Sequence, residues 1–385
     1  MTRYAIIAVA RTPMMGPDTG TTLRPDDAVG QLLSDVYAHR LVMTEHHTTP
    51  VIIGTAVPEA EQGWMFAQSA LRNAQVAEGT PTWCVSAGAA SGMVALQQAM
   101  DMINAGRAPM VVAIGADFPS RVPPMGYNPS FNPRLREEEP SFFTPPGMSA
   151  EHLINRYRLQ RDELDEWATE SRRRAARTKH NGGFLAELVP LKQAPEPGEL
   201  HPVTMSEDTL IPEQELGVMA AEAPLYVKGG GLTAANCAPL AGGASAVAIC
   251  SMDHLETIGL HPLAVISDLH VESLRSARTA EAGIKAAETL LAKNELNIDE
   301  IDEVIIDEPQ ASIPLALARH FSLPLTGINP RGGSLAMGNC LGASGLRMIV
   351  SQAVATEQHD ISRSLIAQYG DGGLGVACLM ERGNE

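Results

Sequence analysis

Apolar and polar positions fall into alternating blocks along the first third of the chain. "YAIIAV" (4–9) is a continuous apolar run of strand length, the pattern of a strand covered on both faces. "RPDDAVGQLLSDVYAHR" (24–40) predicts a helix with acidic residues in its first turn. "PVIIGT" (50–55) reads as a strand, "MFAQSALRNAQ" (65–75) as a helix and "TPTWCVSA" as the next strand. Residues 90–105 predict a helix with Met93, Leu96, Met100 and Ile103 on one face, stopped by Gly106. "MVVAIGAD" (110–117) is another buried strand. This alternation predicts a layered α/β domain.

From 117 to about 240 the pattern loses its period. A proline-rich stretch leads into two helices, at 149–158 and 161–180, and then a long loop-like run. This region reads as an insertion lying over the core and shaping a site. "SRRRAARTKH" (171–180) has the charge of a phosphate patch. It reads better as the basic end of a helix that opens "RDELDE", where the charges complement the helix dipole.

The remainder repeats the first pattern. "PLAVISDLHV" (262–271), "EVIIDE", "SLIAQYG" and "LGVACLMER" predict strands. "AGIKAAETLLAKN", 310–320 and 338–355 predict the helices between them. "AASGMVALQQAM" in the first half answers "GASGLRMIVSQAV" in the second, which predicts a duplicated unit. Helix starts made of Gly and Ala allow close packing where two such halves meet, and ligands of α/β folds bind at junctions of that kind.

With 385 residues, the chain is too long for one ordinary core. A formal net charge of −17 excludes nonspecific attraction to nucleic acid or anionic membrane. No run is long and apolar enough to span a bilayer. "MTRYAIIAVARTP" reads as a first strand rather than a signal core. The five cysteines are scattered, with no CxxC pair or Cys/His cluster, so no metal site is expected. Their odd count fits a reducing, cytoplasmic compartment.

Several longer motifs resemble the thiolase family, and the likeness runs through essentially the whole chain. They are "ARTP" (10–13), the run 147–192 beginning "GMSAEHLINRYRLQRDELDEW", "LTAANCAPLAGGASAV", "NPRGGSLAMGNCLGASGLRMIV" and "GDGGLGVACLMER". The resemblance implies a five-layered αβαβα fold built from two βαβαβαββ halves. It divides the chain into an N-terminal half (1–117 and 241–255), an inserted loop domain (118–240) and a C-terminal half (256–385). It implies a homodimer or dimer of dimers, and an active thiolase or other acyl-CoA enzyme as a partner. A CoA thioester would be the ligand; no bound cofactor is expected.

Thiolases transfer acyl groups through a cysteine acidified at a helix start, assisted by a histidine, a second cysteine and an asparagine–glutamate segment. At the matching positions this chain departs. The nucleophile position holds Ala89, the histidine position Asn339, the second cysteine position Tyr369, and the asparagine position Asp307, with Glu308 retained. The CoA-contacting positions hold Pro145, Ile211 and Ala238. The backbone N–H groups of Ala89 and Asp371 match the family's second oxyanion hole, which requires main-chain geometry alone.

Cys340, in the turn beside Asn339, is the best thiol candidate for a replacement nucleophile; its bland reading is a buried structural cysteine. Cys84 and Cys378 read as core. Ser91 reads as a helix cap. Asp307 and Glu308 read either as an acid/base pair or as residues that end a strand and cap the helix whose first turn contains Pro309. His320 and His359 lie outside the signature turns. Two functions follow: a thiolase-like protein acting by binding or assembly, or an acyltransferase or decarboxylase using non-standard residues such as Cys340.

Overall fold

The computed structural model describes residues 3–383 apart from 18, 20–21, 42–48, 196–201 and 213–221. The first strand, β1 (Tyr4–Arg11), is buried along its whole length. α1 (Pro25–Asp35) starts with proline in its first turn and Asp26 and Asp27 beside it, and continues as a π turn through Val36–Arg40. There follow β2 (Val51–Gly54), α2 (Phe66–Asn73), β3 (Thr82–Val85), α3 (Ser91–Asn104) and β4 (Met110–Asp117).

Next come α4 (Pro133–Glu138), α5 (Pro146–Tyr157), α6 (Arg161–His180) and a small hairpin, β5 (Leu191–Gln193) with β6 (Val203–Met205). The chain returns to the sheet as β7 (Gly243–Ser251) and then forms α7 (Met252–Ile258). The closing elements are β8 (Ala264–Ser273), α8 (Ala282–Lys293), β9 (Glu303–Ile306), α9 (Ser312–Phe321), α10 (Ser334–Met337), α11 (Ser344–Gln358), β10 (Arg363–Tyr369) and β11 (Leu374–Glu381).

The large strands form one ladder in the order β3-β2-β4-β7-β1-β8-β11-β10-β9. It is two similar half-sheets. In the first, β2 runs parallel to β3 and β4, and β7 lies antiparallel between β4 and β1. In the second, β10 runs parallel to β9, and β11 lies antiparallel between β10 and β8. They join through an antiparallel contact at Tyr4↔Ile266, Ala5↔Val265 and Ile6↔Ala264. The repeated topology agrees with the duplication read from the sequence. One strand falls short: the third strand of the second half is reduced to a bridge at Val304↔Ile328. Pro324 and Pro330 bracket that bridge and cannot donate to a ladder.

Strand alternation sorts the core into layers. Val51 and Ile53 of β2 pack with α1 and α2 on one outer face, whereas Ile52 packs inward on α3. Leu365 and Ala367 of β10 pack with α8 and α9 on the other outer face, whereas Ile366 turns inward to the same central cluster. α3 and α11 therefore lie between the half-sheets, which gives the helix–sheet–helix–sheet–helix order.

Small residues set the distance at the centre. A side-chain carbon on Gly115 would sit 2.3 Å from the Gly342 carbonyl oxygen, and one on Gly92 2.5 Å from it. Gly115→Ala therefore forces backbone apart in a packed layer. The expected cost is about 1–3 kcal/mol, read as a lower urea midpoint. An unchanged midpoint would mean that the central layer yields freely.

The inserted region is pinned to the core by buried polar contacts. Arg11 pairs with Glu187 (2.6 Å) and with both oxygens of Asp208 (2.6 and 2.8 Å). α6 opens on a Gln160/Glu163 capping box. Three of its arginines are tied down: Arg173 and Arg174 with Glu170, Arg172 with the Ala235 carbonyl, and Arg174 also with the Ile328 carbonyl at 2.6 Å. Among the described residues, no helix is long and apolar enough to cross a membrane.

Candidate functional site

The turn between β3 and α3 is built from small residues. Gly88 takes a left-handed backbone (φ 57°), where glycine is favoured. Ser91 ties the turn together, accepting from Ala87 N–H (2.8 Å) and donating to the Gly88 and Thr55 carbonyls (2.5 and 3.0 Å). It is not the helix cap expected from the sequence; it sits inside the helix and its bonds reach backward. Ala89, at the crest, is buried.

Two groups close on Ala89. The Gln368 side chain donates to its carbonyl oxygen at 2.8 Å. On the other side, the Asp371 carboxylate lies against Gly88, so close that a side-chain carbon there would be 2.2 Å from Oδ2. Burial raises the pKa of this carboxylate, and the nearby Ala89 N–H opposes the rise. The outer edge of Asp371 stays exposed. The two positions expected to form an oxyanion hole, Ala89 and Asp371, thus lie on turns that meet at Gly88.

Gln368 also reaches Asp307 Oδ2 at 3.2 Å, and Ser334 Oγ donates to Asp307 Oδ1. Arg347 Nη2 in turn donates to Ser334 Oγ at 3.3 Å. The result is one buried chain: Arg347, Ser334, Asp307, Gln368, Ala89. Burial raises the Asp307 pKa; Ser334, the Arg347 charge and Gln368 pull it down. Glu308 accepts from Trp167 Nε1 (3.0 Å), Asn329 Nδ2 (2.8 Å) and Ser171 Oγ. Burial likewise raises its pKa against those donors. Neither acid caps the following helix, which starts at Ser312 behind Ala311. Glu308 instead anchors α6.

Asn339 spends its side-chain oxygen on Leu341 N–H (3.0 Å), supporting a residue with φ 45°. Cys340 turns away from Ala89 into a pocket of Met14, Ala241 and Ala343. Burial pushes its thiol up to about 12, so it stays protonated and is no nucleophile near neutrality. Cys378 lies in the central core and Cys84 packs at the edge of the first outer face. His320 pairs with Tyr157 and Glu288 on the far side of α9. His359 is exposed, past the end of α11.

The Tyr369 phenol bonds to Gln310 Oε1 at 3.3 Å, and burial holds its pKa far above the ordinary value. Three neighbours escaped the sequence reading. Gln310 bridges to Cys237 through the backbone, and the Tyr226 phenol lies close enough to feel both side chains. Burial pushes the Cys237 thiol up to about 12. Tyr226 also covers Gly147: a side-chain carbon there would meet its ring at 2.0 Å. No periodic signal marks these residues, which lie on irregular segments; adjacency to Ala238 and Asp307 was the only available pointer.

The three CoA-position residues diverge. Pro145 is exposed before α5, and Ala238 is half-buried with its N–H on the Pro309 carbonyl at 2.8 Å. Ile211 is buried with Ala175, Phe184, Ala336 and Met337, packing the inserted region instead of facing a ligand.

A second acid was also missed. Asp117, ending β4, receives Thr55 Oγ1 (2.9 Å) and Gln62 Nε2 (2.8 Å) on Oδ1. Ala56 N–H and Gly342 N–H, both at 2.8 Å, reach its Oδ2. It joins the first half-sheet to the turn before α11. Burial pushes its pKa up to about 6 against these four donors.

Chemically, the Ala89 turn offers hydrogen bonds and carboxylates, with no thiol or imidazole against it among the described residues. Nor do the described residues hold a group of three or more His, Cys, Asp or Glu able to bind a metal.

Comparison with known proteins follows this geometry. The family "Thiolase, N-terminal domain" matches residues 4–253 and "Thiolase, C-terminal domain" matches residues 260–382. A "3-ketoacyl-CoA thiolase" of Bacillus subtilis (strain 168) is 26% identical over 390 residues, covering 99% of this chain and 100% of that protein. A "Probable acetyl-CoA acyltransferase" of Staphylococcus epidermidis is 28% identical over 352 residues, covering 85% of this chain and 89% of the relative. The crystal structure of human mitochondrial 3-ketoacyl-CoA thiolase superimposes with a TM-score of 0.84 at 23% identity, covering 99% of both chains. Two matched domains, end-to-end relatives and a shared fold lead to one statement: this chain belongs to the thiolase family.

Proposed function

We propose that this chain keeps thiolase architecture without cysteine-based acyl transfer and acts by binding or assembly. The observation that carries the reading is Ala89 at the start of α3, enclosed by Gln368 and Asp371. An acyl-enzyme requires a thiolate there, and Cys340 and Cys237 both have thiols pushed up to about 12. Acyl-CoA remains the ligand class that its relatives' names suggest. A homodimer or dimer of dimers, and an active thiolase or other acyl-CoA enzyme as partner, belong to the same proposal. So does a cytoplasmic setting, supported by five free cysteines.

The test is intact-mass measurement after incubation with acetyl-CoA and acetoacetyl-CoA. The expected spectrum has no acyl adduct and the assay no thiolysis. A stable adduct that disappears in Cys340→Ala would overturn the reading.

A second reading is acyltransfer or decarboxylation through non-standard residues, without a covalent intermediate. The buried Tyr369, Gln310 and Cys237, with the exposed Tyr226 beside them, favour it. Turnover with no adduct would select it.

A further inference from the structure

We infer that the pit behind Gly332 and Gly333 is a binding site for one monatomic anion of the size of chloride, held by the Arg347 guanidinium. The inference stands apart from the reading of Ala89 and needs no acyl chemistry.

Arg347 lies in the first turn of α11 and is 2% exposed. Burying a guanidinium is costly unless charged or polar partners replace its water. Here the partners are weak. Nη1 meets the Met337 thioether and Nη2 the Ser334 hydroxyl, both at 3.3 Å. Nε is buried with no hydrogen-bond partner among the described residues. Among the same residues no carboxylate pairs with this arginine directly; Asp307 is reached through Ser334.

The same side chain lines a pit of about 20 Å³ between α11 and the turn 329–333. That volume takes one water-sized particle and excludes a carboxylate or phosphate group. Two arginines and no carboxylate line it. Arg331 is paired with Glu303 at 2.8 Å, which leaves Arg347 as the uncompensated charge. The side-chain acceptors of the wall are taken: Gln352 Oε1 by Arg331, and Asn329 Oδ1 by the Ile306 N–H. The acids around it are bonded elsewhere, Glu187 to Arg11 and Ser351, Glu308 to Trp167, Asn329 and Ser171. Asp307 stands one hydroxyl away, and its burial, which raises its pKa, weakens its opposition to an anion. A particle entering the pit therefore meets a charged donor and occupied acceptors, which selects an anion over a cation. A halide there sets the charge at the head of the buried chain that ends on the Ala89 carbonyl.

Bromide serves as the crystallographic probe. Crystals of the unaltered chain and of Ser351→Leu are soaked in sodium bromide and anomalous difference maps are computed. Leucine at 351 fills the pit and leaves Arg347 in place. The expected result is a peak at hydrogen-bond distance from Arg347 Nε in the unaltered chain and none there in the variant. No peak in the unaltered chain, or a water alone in its density, overturns the proposal.

A solution measurement accompanies the crystals. Tm is read in sodium chloride and in sodium gluconate at equal ionic strength, for both chains. The chloride-minus-gluconate difference is expected to be about 2 °C more positive in the unaltered chain than in Ser351→Leu. Equal differences beside a crystal peak mean binding at crystal concentration only, and overturn the proposal. If Ser351→Leu does not fold, Arg347→Met takes its place in both experiments. An acyl adduct on the unaltered chain would defeat the functional reading and leave these results standing.

Discussion

Arg11→Met should lower the free energy of unfolding by about 3–5 kcal/mol, the cost of breaking a buried ion pair from one side. Arg11 is fully buried and faces two buried carboxylates, Glu187 and Asp208. Methionine fills much the same volume and removes the charge that pairs with both acids. Burial already pushes the Glu187 pKa up, and the Arg11 charge is the first influence holding it down. Glu187 also keeps one oxygen, Oε2, without a hydrogen-bond partner. The triad spans β1, the segment after α6 and the segment before Ile211, so its loss frees the inserted region from the sheet. Urea unfolding at neutral pH checks this. A change within 1 kcal/mol would mean that the two acids take up protons and repack at little cost.

The second large effect concerns pH. The Asp117 pKa rises from 3.8 unfolded to about 6 folded, because burial disfavours the charge. Its sign is opposite to that of a salt-bridged carboxylate. Between these values the folded chain binds the extra proton, so this group's contribution is greatest below 3.8 and is lost as pH rises through 6. Asp117→Asn removes the titration. It also turns an amide N–H₂ toward donors; Gln62 cannot flip to accept it, since its Oε1 already takes Phe118 N–H at 2.7 Å.

The variant should therefore be less stable at pH 7 by about 1–3 kcal/mol, the cost of an unsatisfied buried group. Its deficit should grow by about 1 kcal/mol on going to pH 5, as the unaltered chain gains its proton. Paired urea titrations at the two values read the difference. A deficit that shrinks toward pH 5 would show Asp117 to be an ordinary paired acid.

The layers were legible because their signal is local. An eight-residue strand buried on both faces has to be apolar throughout, and β1 and β4 announce themselves this way. The site was legible only as a set of positions. The resemblance marked Ala89 as the position matching the family's nucleophile, but what surrounds it could not be read from the turn. The Asp371 contact closes over nearly three hundred residues, and the Ser334–Asp307–Gln368 chain joins three separate segments. Asp117 carried a faint signal, an acid ending an otherwise apolar run, and it was read as a strand end. Tyr226 and Cys237 carried none, because irregular backbone has no period to violate. The missing third strand of the second half was foreshadowed by the two prolines in "LPLTGINP".

The position of β1 at the seam has a consequence for synthesis. Its two neighbours are β7 and β8, which the ribosome delivers only after residue 243. β4 likewise waits for β7 on one side. A nascent chain that has emerged only as far as α6 therefore carries two long apolar strands with bare edges, and α6 itself still lacks Glu308 to anchor it. Such edges are templates for intermolecular pairing. Translation past this interval is the time at which the polypeptide most needs a chaperone or a low local concentration.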